Sequence, residues 1–267
     1  MSELARRALT GAVYVLLTIG AAYSGPFTTT LLFLPIGLVA AAELHRLGPH
    51  GTASERPVHL VLAGIIYLAV ASGAMLAGWS FRAALALALL VILVRVTDLI
   101  VRGLDEPFVR IAGILFMVAY TAVPLGLLAH LAAKGPMIML GVFVLVWTND
   151  TGAYLAGRTL GRRKLLPSVS PNKTVEGLLG GLLLTVLVGW GLSGAWPSFS
   201  TSDRCALALL ISLSSTLGDL LESALKRARG VKDSGTLLPG HGGVLDRMDG
   251  LLIAIPVYVL FLAFGPG

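Results

Sequence analysis

The densest group of charged side chains in this sequence lies between residues 219 and 249. This stretch carries 10 of the 34 charged residues of the chain: Asp219, Glu222, Lys226, Arg227, Arg229, Lys232, Asp233, Asp246, Arg247 and Asp249. Carboxylates are the oxygen ligands that Mg²⁺ prefers, whereas lysine and arginine bind phosphate groups. The mixture predicts a site for phosphoryl-type transfer, in which positioning and electrostatics do most of the work and no separate nucleophilic side chain is needed.

The spacing within this group favours a helix followed by a loop. Asp219 and Glu222 are three residues apart and share one face of a helix, with Lys226 one turn further on. A surface ion pair would account for Glu222 and Lys226, but Asp219 lies too deep in its apolar stretch for that explanation. The glycines between residues 239 and 246 supply backbone that can approach a ligand closely. His241, in the same loop, could either form hydrogen bonds there or transfer a proton.

A second polar group precedes the first. Asn149 and Asp150 interrupt an apolar stretch, so they serve either a site or a polar contact between helices. Ser170 and Pro171 are typical of the N-cap and first residue of a helix. Lys173 would then lie near the positive end of the helix dipole, which disfavours a cation unless an anion such as phosphate binds there too.

Other kinds of site find little support. The P-loop pattern, the G-x-G-x-x-G fingerprint and the H-E-x-x-H zinc motif are absent from the sequence. The remaining histidines are scattered, at His45, His50, His59 and His130. The single cysteine, Cys205, can form neither an intrachain disulfide nor a metal cluster.

The composition indicates that a membrane surrounds these groups. Of 267 residues, 56% are hydrophobic and 13% are charged, and the mean hydropathy is +0.86. Soluble domains carry about 25% charged residues. Long apolar runs without alternating polar positions predict an all-α polytopic membrane protein with about nine transmembrane helices. The predicted spans are 9–23, 28–44, 58–78, 83–101, 109–133, 137–156, 175–195, 206–224 and 250–264.

The distribution of basic residues predicts the orientation of the chain. With a cytoplasmic N-terminus, sixteen basic residues fall on the cytoplasmic side, and only Arg82, Lys134 and Arg204 fall outside. This bias follows the positive-inside rule. Arg95 lies within a span, where it would form a buried structural pair with Asp98, with a subunit contact as a further option. The first span follows two arginines and could also be a signal peptide, although no clear cleavage site follows it.

The predicted organisation is one membrane domain, with N-terminal helices over about 1–135 and a catalytic half over about 136–267. Two cytoplasmic loops, 157–174 and 226–248, are longer and more polar than the others, and long loops are often functional.

The residues from Ser223 to Asp249 resemble the phosphatidate cytidylyltransferase signature. Ser223-Ala-Leu-Lys-Arg, Lys232-Asp-Ser-Gly and Leu238-Pro-Gly-His-Gly-Gly-Val-Leu-Asp-Arg-Met-Asp249 match every fixed position of that pattern across 27 residues. The segments Asn149–Tyr154 and Ser170–Gly177 are also similar to this family, so the resemblance covers the C-terminal half. Asn172 departs from it, because many members carry a second lysine there. Residues 1–130 resemble the family in hydropathy alone.

The resemblance implies that CTP and phosphatidic acid react to give CDP-diacylglycerol and pyrophosphate. It also implies Mg²⁺, with K⁺ as a candidate second ion, a homodimer, and a site in the plasma (inner) membrane that opens to cytoplasm and bilayer. Asp219 and Asp246 would bind the metal. Residues that would hold phosphates are Lys173, Lys226, Arg227 and Arg247. Residues that would shape the substrate pocket are Asn149, Asp150, Ser170, Ser223, Lys232, Asp233, His241 and Asp249.

Two rival functions remain open at the level of sequence. A CTP-dependent polyprenol kinase would need a similar set of carboxylates and basic loops, although the signature argues against it. An anionic-solute transporter would suit intramembrane Asp98, Asp150 and Asp219. However, the polar groups gather at one end of the predicted spans rather than along them. A CDP-alcohol phosphotransferase is disfavoured because its D-G-x₂-A-R pattern is absent.

Overall fold

The computed structural model describes residues 3–48, 55–75, 106–194, 196–237 and 242–264, together with seven positions between 86 and 100. Eight helices lie within these ranges. They are α1 (Glu3–Ser24), α2 (Pro26–Leu47), α3 (Arg56–Ser72), α4 (Pro107–Met117, a π-helical turn Val118–Ala122, and Val123–Lys134), α5 (Pro136–Leu160), α6 (Val175–Gly191), α7 (Thr201–Ala228) and α8 (Leu245–Phe264). Between α5 and α6, strands β1 (Lys164–Leu166) and β2 (Ser170–Thr174) form an antiparallel hairpin.

The helices confirm the all-α membrane class. Five are long and apolar enough to span a bilayer, over Pro26–Leu47, Phe108–Lys134, Pro136–Leu160, Thr201–Ala228 and Leu245–Phe264. Three shorter apolar helices cover Leu9–Ser24, Arg56–Ser72 and Val175–Gly191. The predicted span 83–101, with Arg95 and Asp98, lies outside the described residues apart from isolated positions. The chain is therefore a multi-pass membrane protein, and the count of nine spans stays a prediction.

Two single-residue connections join successive helices. Gly25 separates α1 from α2 with φ of 94°, and Gly135 separates α4 from α5 with φ of 131°. These angles are readily reached only by glycine. Each is followed directly by a proline in the first turn of the next helix, Pro26 or Pro136. Proline is favoured there because its missing N–H would have no partner within the helix anyway.

The chain divides into two compact units. The first comprises Met1–Ala133 and Asp233–Leu245, and the second comprises Lys134–Lys232 and Asp246–Gly267. The core of the first unit forms among α2, α3 and α4, where Phe33, Leu62 and Leu125 are fully buried. Within it, the Tyr67 hydroxyl donates a hydrogen bond of 2.9 Å to the carbonyl of Thr30, so α3 is tied to α2 by a polar contact inside the apolar core.

In the second unit, α5 packs closely against α6 through small residues. A Cβ on Gly152 would lie 2.9 Å from the carbonyl oxygen of Gly180 and 3.0 Å from the Cα of Gly181. Membrane helices commonly associate through such glycines because their backbones can then approach closely. This approach brings the end of α5 beside the hairpin and the start of α6.

The start of α6 differs from the sequence prediction. Ser170 and Pro171 are not its N-cap and first residue, because they belong to β2, where Ser170 pairs with Leu166. The N-cap is Thr174, whose side chain accepts a hydrogen bond of 3.1 Å from the N–H of Gly177. Ser170 and Pro171 have the local pattern of a helix start, but they pair with β1 instead. Strand β1, which lies earlier in the same loop, was not predicted from the sequence.

We expect Gly152→Ala to lower the free energy of unfolding of the detergent-solubilised protein by about 1–3 kcal/mol, because its Cβ would overlap the backbone of α6. The matched control is Gly191→Ala on α6, where a Cβ meets nothing within 4 Å. Thermal unfolding of both variants checks the prediction. Equal midpoints for the two variants would contradict the close packing of α5 and α6.

Candidate active site

Most of the predicted site residues lie together in the second unit. They come from α5, β2, α7 and the first turns of α8. Ion pairs, hydrogen bonds and electrostatic interactions link Asp150, Lys173, Asp219, Glu222, Ser223, Lys226, Asp246 and Asp249. The hairpin makes this possible, because it carries Lys173 to α7. Asp219, Glu222, Ser223 and Lys226 follow one another at helical spacing along α7.

Asp219 is held by partners on both of its carboxylate oxygens. The Nζ atom of Lys173 lies 2.5 Å from Oδ2, and the Ser223 hydroxyl donates a hydrogen bond of 3.2 Å to Oδ1. The Asp219 side chain is nevertheless 36% exposed, so a ligand can still reach it. The anion that accounts for Lys173 near the start of α6 is therefore, within the described residues, the carboxylate of Asp219.

A second ion-pair group lies deeper. The Nζ atom of Lys226 is 2.6 Å from Oδ1 of Asp246 and 3.3 Å from Oε2 of Glu222. The pair of Glu222 and Lys226 that the spacing suggested is present, but the Glu222 side chain is fully buried, so it is not a surface pair. Charged groups buried in apolar surroundings need such partners because their desolvation costs several kcal/mol.

Electrostatic contacts join these two groups into one acidic cluster. Asp249 interacts with Glu222, Asp219 and Asp150, and Glu222 also interacts with Asp246. The cluster thus contains five carboxylic acids and two lysines, Lys173 and Lys226. Neither oxygen of Glu222 has a hydrogen-bond partner of good geometry in the described part of the chain. Among these seven groups the acidic side chains outnumber the basic ones.

A cavity of about 470 Å³ opens beside Asp219. Its size is within the range of small-molecule sites, about 300–1,000 Å³. The lining combines charged groups with apolar surface and consists of Asn149, Asp150, Ala153, Tyr154, Gly157, Arg158, Leu165, Asn172, Lys173, Thr174, Gly177, Leu178, Thr216 and Asp219. A ligand in this cavity would meet acidic and basic side chains at once.

The sequence interpretation missed two lining residues of α5, Tyr154 and Arg158. The Nη1 atom of Arg158 donates a hydrogen bond of 2.8 Å to the Tyr154 hydroxyl, and the guanidinium lies 5.9 Å from the centre of that ring. The spacing held a signal, because Asp150, Tyr154 and Arg158 are four residues apart and share one helical face. Asn172, where many family members carry lysine, also lines the cavity.

Asn149 forms a polar contact between two helices, which is one of the two roles that the sequence left open for it. It is 3% exposed. Its Oδ1 accepts a hydrogen bond of 2.6 Å from the Ser212 hydroxyl, and its Nδ2 donates one of 3.4 Å to Thr216. The side chain therefore joins α5 to α7, while also contributing to the cavity wall.

The remaining predicted residues are placed differently. Ser170 does not line the cavity within the described residues. Arg227 is exposed and donates hydrogen bonds to the carbonyls of Val169 and Val231, so it braces loop backbone. Lys232 and Arg247 are exposed. Asp233 belongs to the first unit, and His241 lies outside the described residues.

The donor atoms of the cluster suit a hard divalent cation, because carboxylate oxygens are its preferred ligands. Among the residues that the structure describes, no three His, Cys, Asp or Glu side chains already converge on one point. Asp219 and Asp246 instead face Lys173 and Lys226. A cation could compete with these lysines for the same oxygens.

We expect Lys226→Met to lower the free energy of unfolding by about 3 kcal/mol, because it leaves Asp246 and Glu222 without their shared cation. The double variant Lys226→Met with Glu222→Gln should recover part of the lost free energy of unfolding, because the buried acid is removed. Thermal unfolding checks both variants, with Lys232→Met at an exposed position as the control. An unchanged midpoint for Lys226→Met would show that the deep ion pairs do not stabilise the fold.

Comparison with known proteins identifies the family of this chain. The cytidylyltransferase family matches residues 5–264. A phosphatidate cytidylyltransferase of Staphylococcus aureus (strain COL) is 41% identical over 157 residues, one of Staphylococcus saprophyticus is also 41% identical over 157 residues, and one of Staphylococcus epidermidis is 40% identical over 156. Each alignment covers 58% of this chain and 60% of the relative. The resemblance carried by the signature is confirmed, and the chain belongs to the cytidylyltransferase family.

Proposed function

We propose that the protein is a phosphatidate cytidylyltransferase. In this reaction a phosphate oxygen of phosphatidic acid attacks the α-phosphorus of CTP. The bond from that phosphorus to the oxygen bridging to the β-phosphate breaks, so that CDP-diacylglycerol forms and pyrophosphate leaves. Family membership and the printed names of the relatives support this activity. The observation that carries it is the Lys173–Asp219 pair on the wall of the cavity.

The charges of the site fit both substrates. Lys173 faces the cavity and can exchange its contact with Asp219 for a contact with a substrate phosphate, because both partners are anionic oxygens. Lys226 holds Asp246 and Glu222 in fixed positions. Fixed charges of this kind stabilise the charge that develops on a leaving group without reorganising at the moment of reaction.

Asp219 and Asp246 are the residues we propose to hold Mg²⁺, with K⁺ as a candidate second ion. Bound there, Mg²⁺ would neutralise phosphate charge and thereby favour departure of pyrophosphate. The excess of carboxylates over lysines in the cluster supports the proposal, because cation binding offsets the repulsion among the acidic groups.

We also propose the cellular setting. The distribution of basic residues supports a cytoplasmic N-terminus and cytoplasmic polar loops, on the side where CTP is available. Relatives in bacteria support a plasma-membrane location. The lipid substrate would come from the bilayer around the apolar helices, and the functional form would be a homodimer, as in the family that the signature resembles.

The test is conversion of labelled CTP by purified protein in detergent, with phosphatidic acid and Mg²⁺. We expect lipid-soluble label that requires phosphatidic acid and disappears with EDTA. Transfer of phosphate to a polyprenol instead would support the kinase. Absence of turnover with either acceptor would favour a transporter.

Asp219→Asn should lower kcat at least a hundredfold while the protein stays folded, because the amide keeps the shape but loses the charge that holds Lys173 and a metal ion. The matched control is Asp203→Asn near the other end of α7, where Asp203 belongs to an exposed capping box with Ser200. The ratio of kcat values, with thermal unfolding as a check on folding, decides the outcome. Substantial activity in Asp219→Asn would remove this residue from the metal site.

Lys173→Met should raise the KM for a phosphate-bearing substrate about tenfold, since one charge-assisted contact is worth roughly 1.5–3 kcal/mol. Lys164→Met is the control, because Lys164 is exposed in the partner strand of the same hairpin. KM values for CTP and for phosphatidic acid would identify which substrate Lys173 contacts. Unaltered KM values for both substrates would show that Lys173 contacts neither of them. Its remaining role would be that of a positive charge in a cytoplasmic loop, which helps to orient the protein in the membrane.

A further inference from the structure

A buried carboxylate outside the predicted site accepts hydrogen bonds from both ends of a segment of the signature, residues 234–245. Glu43 lies on α2 and is 3% exposed. Its Oε2 accepts hydrogen bonds from the Ser234 hydroxyl at 2.9 Å and from the N–H of Leu245 at 2.8 Å. Its Oε1 accepts one of 3.1 Å from the N–H of Val244. All of these residues belong to the first unit.

The three donors come from the two ends of one segment. Ser234 stands near its start, and Val244 and Leu245 stand at its end. A single carboxylate therefore fixes both ends of the stretch 234–245. Hydrogen bonds to charged groups are worth about 1.5–3 kcal/mol each, roughly twice the value of neutral ones.

The backbone around this carboxylate leaves no room for further atoms. A Cβ on Gly235 would lie 2.8 Å from the Cδ atom of Glu43, and one on Gly243 would lie 2.7 Å from it. Both distances are shorter than real Cβ contacts. These two positions of the signature are thus glycines because the chain wraps closely around the Glu43 carboxylate.

Glu43 also acts at the start of α8. The first N–H groups of a helix have no partner inside that helix, and a negative charge at this end is favourable. Glu43 supplies the acceptor for Val244 and Leu245, and the next residue along the chain is Asp246, a proposed metal ligand. Displacement of reacting groups by about 1 Å can cost about a hundredfold in rate.

We propose that Glu43 is a positioning residue for cytidylyl transfer: it fixes Ser234 at one end of the segment and Val244 and Leu245 at the other, and through the start of α8 it fixes the carboxylate of Asp246. The proposal rests on the proposed function. Glu43 itself is not proposed to touch substrate or metal. Its loss acts on kcat by displacing the groups that do.

The test is Glu43→Gln, which keeps the volume but offers one oxygen where the carboxylate offers two. The amide then faces the N–H of Val244 or the donors on the other side. We expect kcat per folded molecule to fall 10- to 100-fold, with KM for CTP within about threefold of wild type. Hydrogen exchange of the Val244 and Leu245 amides should become faster by a similar factor.

Two companion variants sharpen the test. Ser234→Ala removes one donor and keeps the carboxylate, so a smaller fall in kcat, about two- to fivefold, is expected, and it remains usable if Glu43→Gln does not fold. Glu55→Gln is the control, because Glu55 is another partly buried acid of the first unit, paired with Arg110 at 3.3 Å. Its kcat and its exchange at Val244 and Leu245 should match wild type.

Two outcomes would overturn the proposal. One is faster exchange in Glu43→Gln and Ser234→Ala with wild-type kcat, which would leave Glu43 as a support of the fold alone. The other is unchanged exchange, which would show that Glu43 does not hold the turn. If the wild-type protein itself makes no CDP-diacylglycerol, the proposed function fails, and the exchange data still decide whether Glu43 fixes the start of α8.

Discussion

Burying charge in an apolar protein is the constraint on which this structure depends. An unpaired carboxylate in such surroundings costs several kcal/mol, yet Glu222 is fully buried and Asp246 nearly so. The structure meets this cost by placing Lys226 between them. A similar desolvation cost arises in the first unit, where the buried carboxylate of Glu43 accepts three hydrogen bonds. Glu222 pairs with Lys226 one turn along the same helix, whereas Asp246 and Glu43 draw their partners from other elements of the chain. Those elements must be held accurately for the charges to be tolerated.

That accuracy comes from close backbone packing and from short connections. Gly152 lets α5 lie against α6, and this contact sets where the hairpin begins. The hairpin in turn brings Lys173 to Asp219. The same geometry therefore places Lys173 in two settings at once, because it neutralises Asp219 and also lines the cavity. In the function proposed above, an anionic ligand would replace the contact of Lys173 with Asp219 by a contact with its own phosphate.

The sequence predicted the features that depend on local composition. Apolar runs located the helices, and the charge pattern predicted a site that joins residues of α7 and α8, two of which, Lys226 and Asp246, are in contact. It did not predict features that depend on strand pairing or on the packing of helices. Ser170 and Pro171 have the residue types of a helix start. The neighbouring sequence carries no signal that Ser170 pairs with Leu166 in a hairpin. The burial of Glu222 follows from neighbouring helices rather than from its spacing with Lys226. Glu43 lies 191 residues before Ser234, so no spacing within one element could connect them. Tyr154 and Arg158 were predictable in principle, since they share a helical face with Asp150.

The single residue between α1 and α2 bears on how the chain is made. Two helices of 22 residues each, joined only by Gly25, expose almost no polar chain on the side where they turn. A nascent polypeptide of this form can partition into the bilayer as one helical hairpin, because no hydrophilic loop has to cross before the second helix enters. Because the connection is a single residue, a reporter or epitope inserted at Gly25 would have to force the two helices apart. Topology mapping by insertion should therefore use the longer polar loops instead.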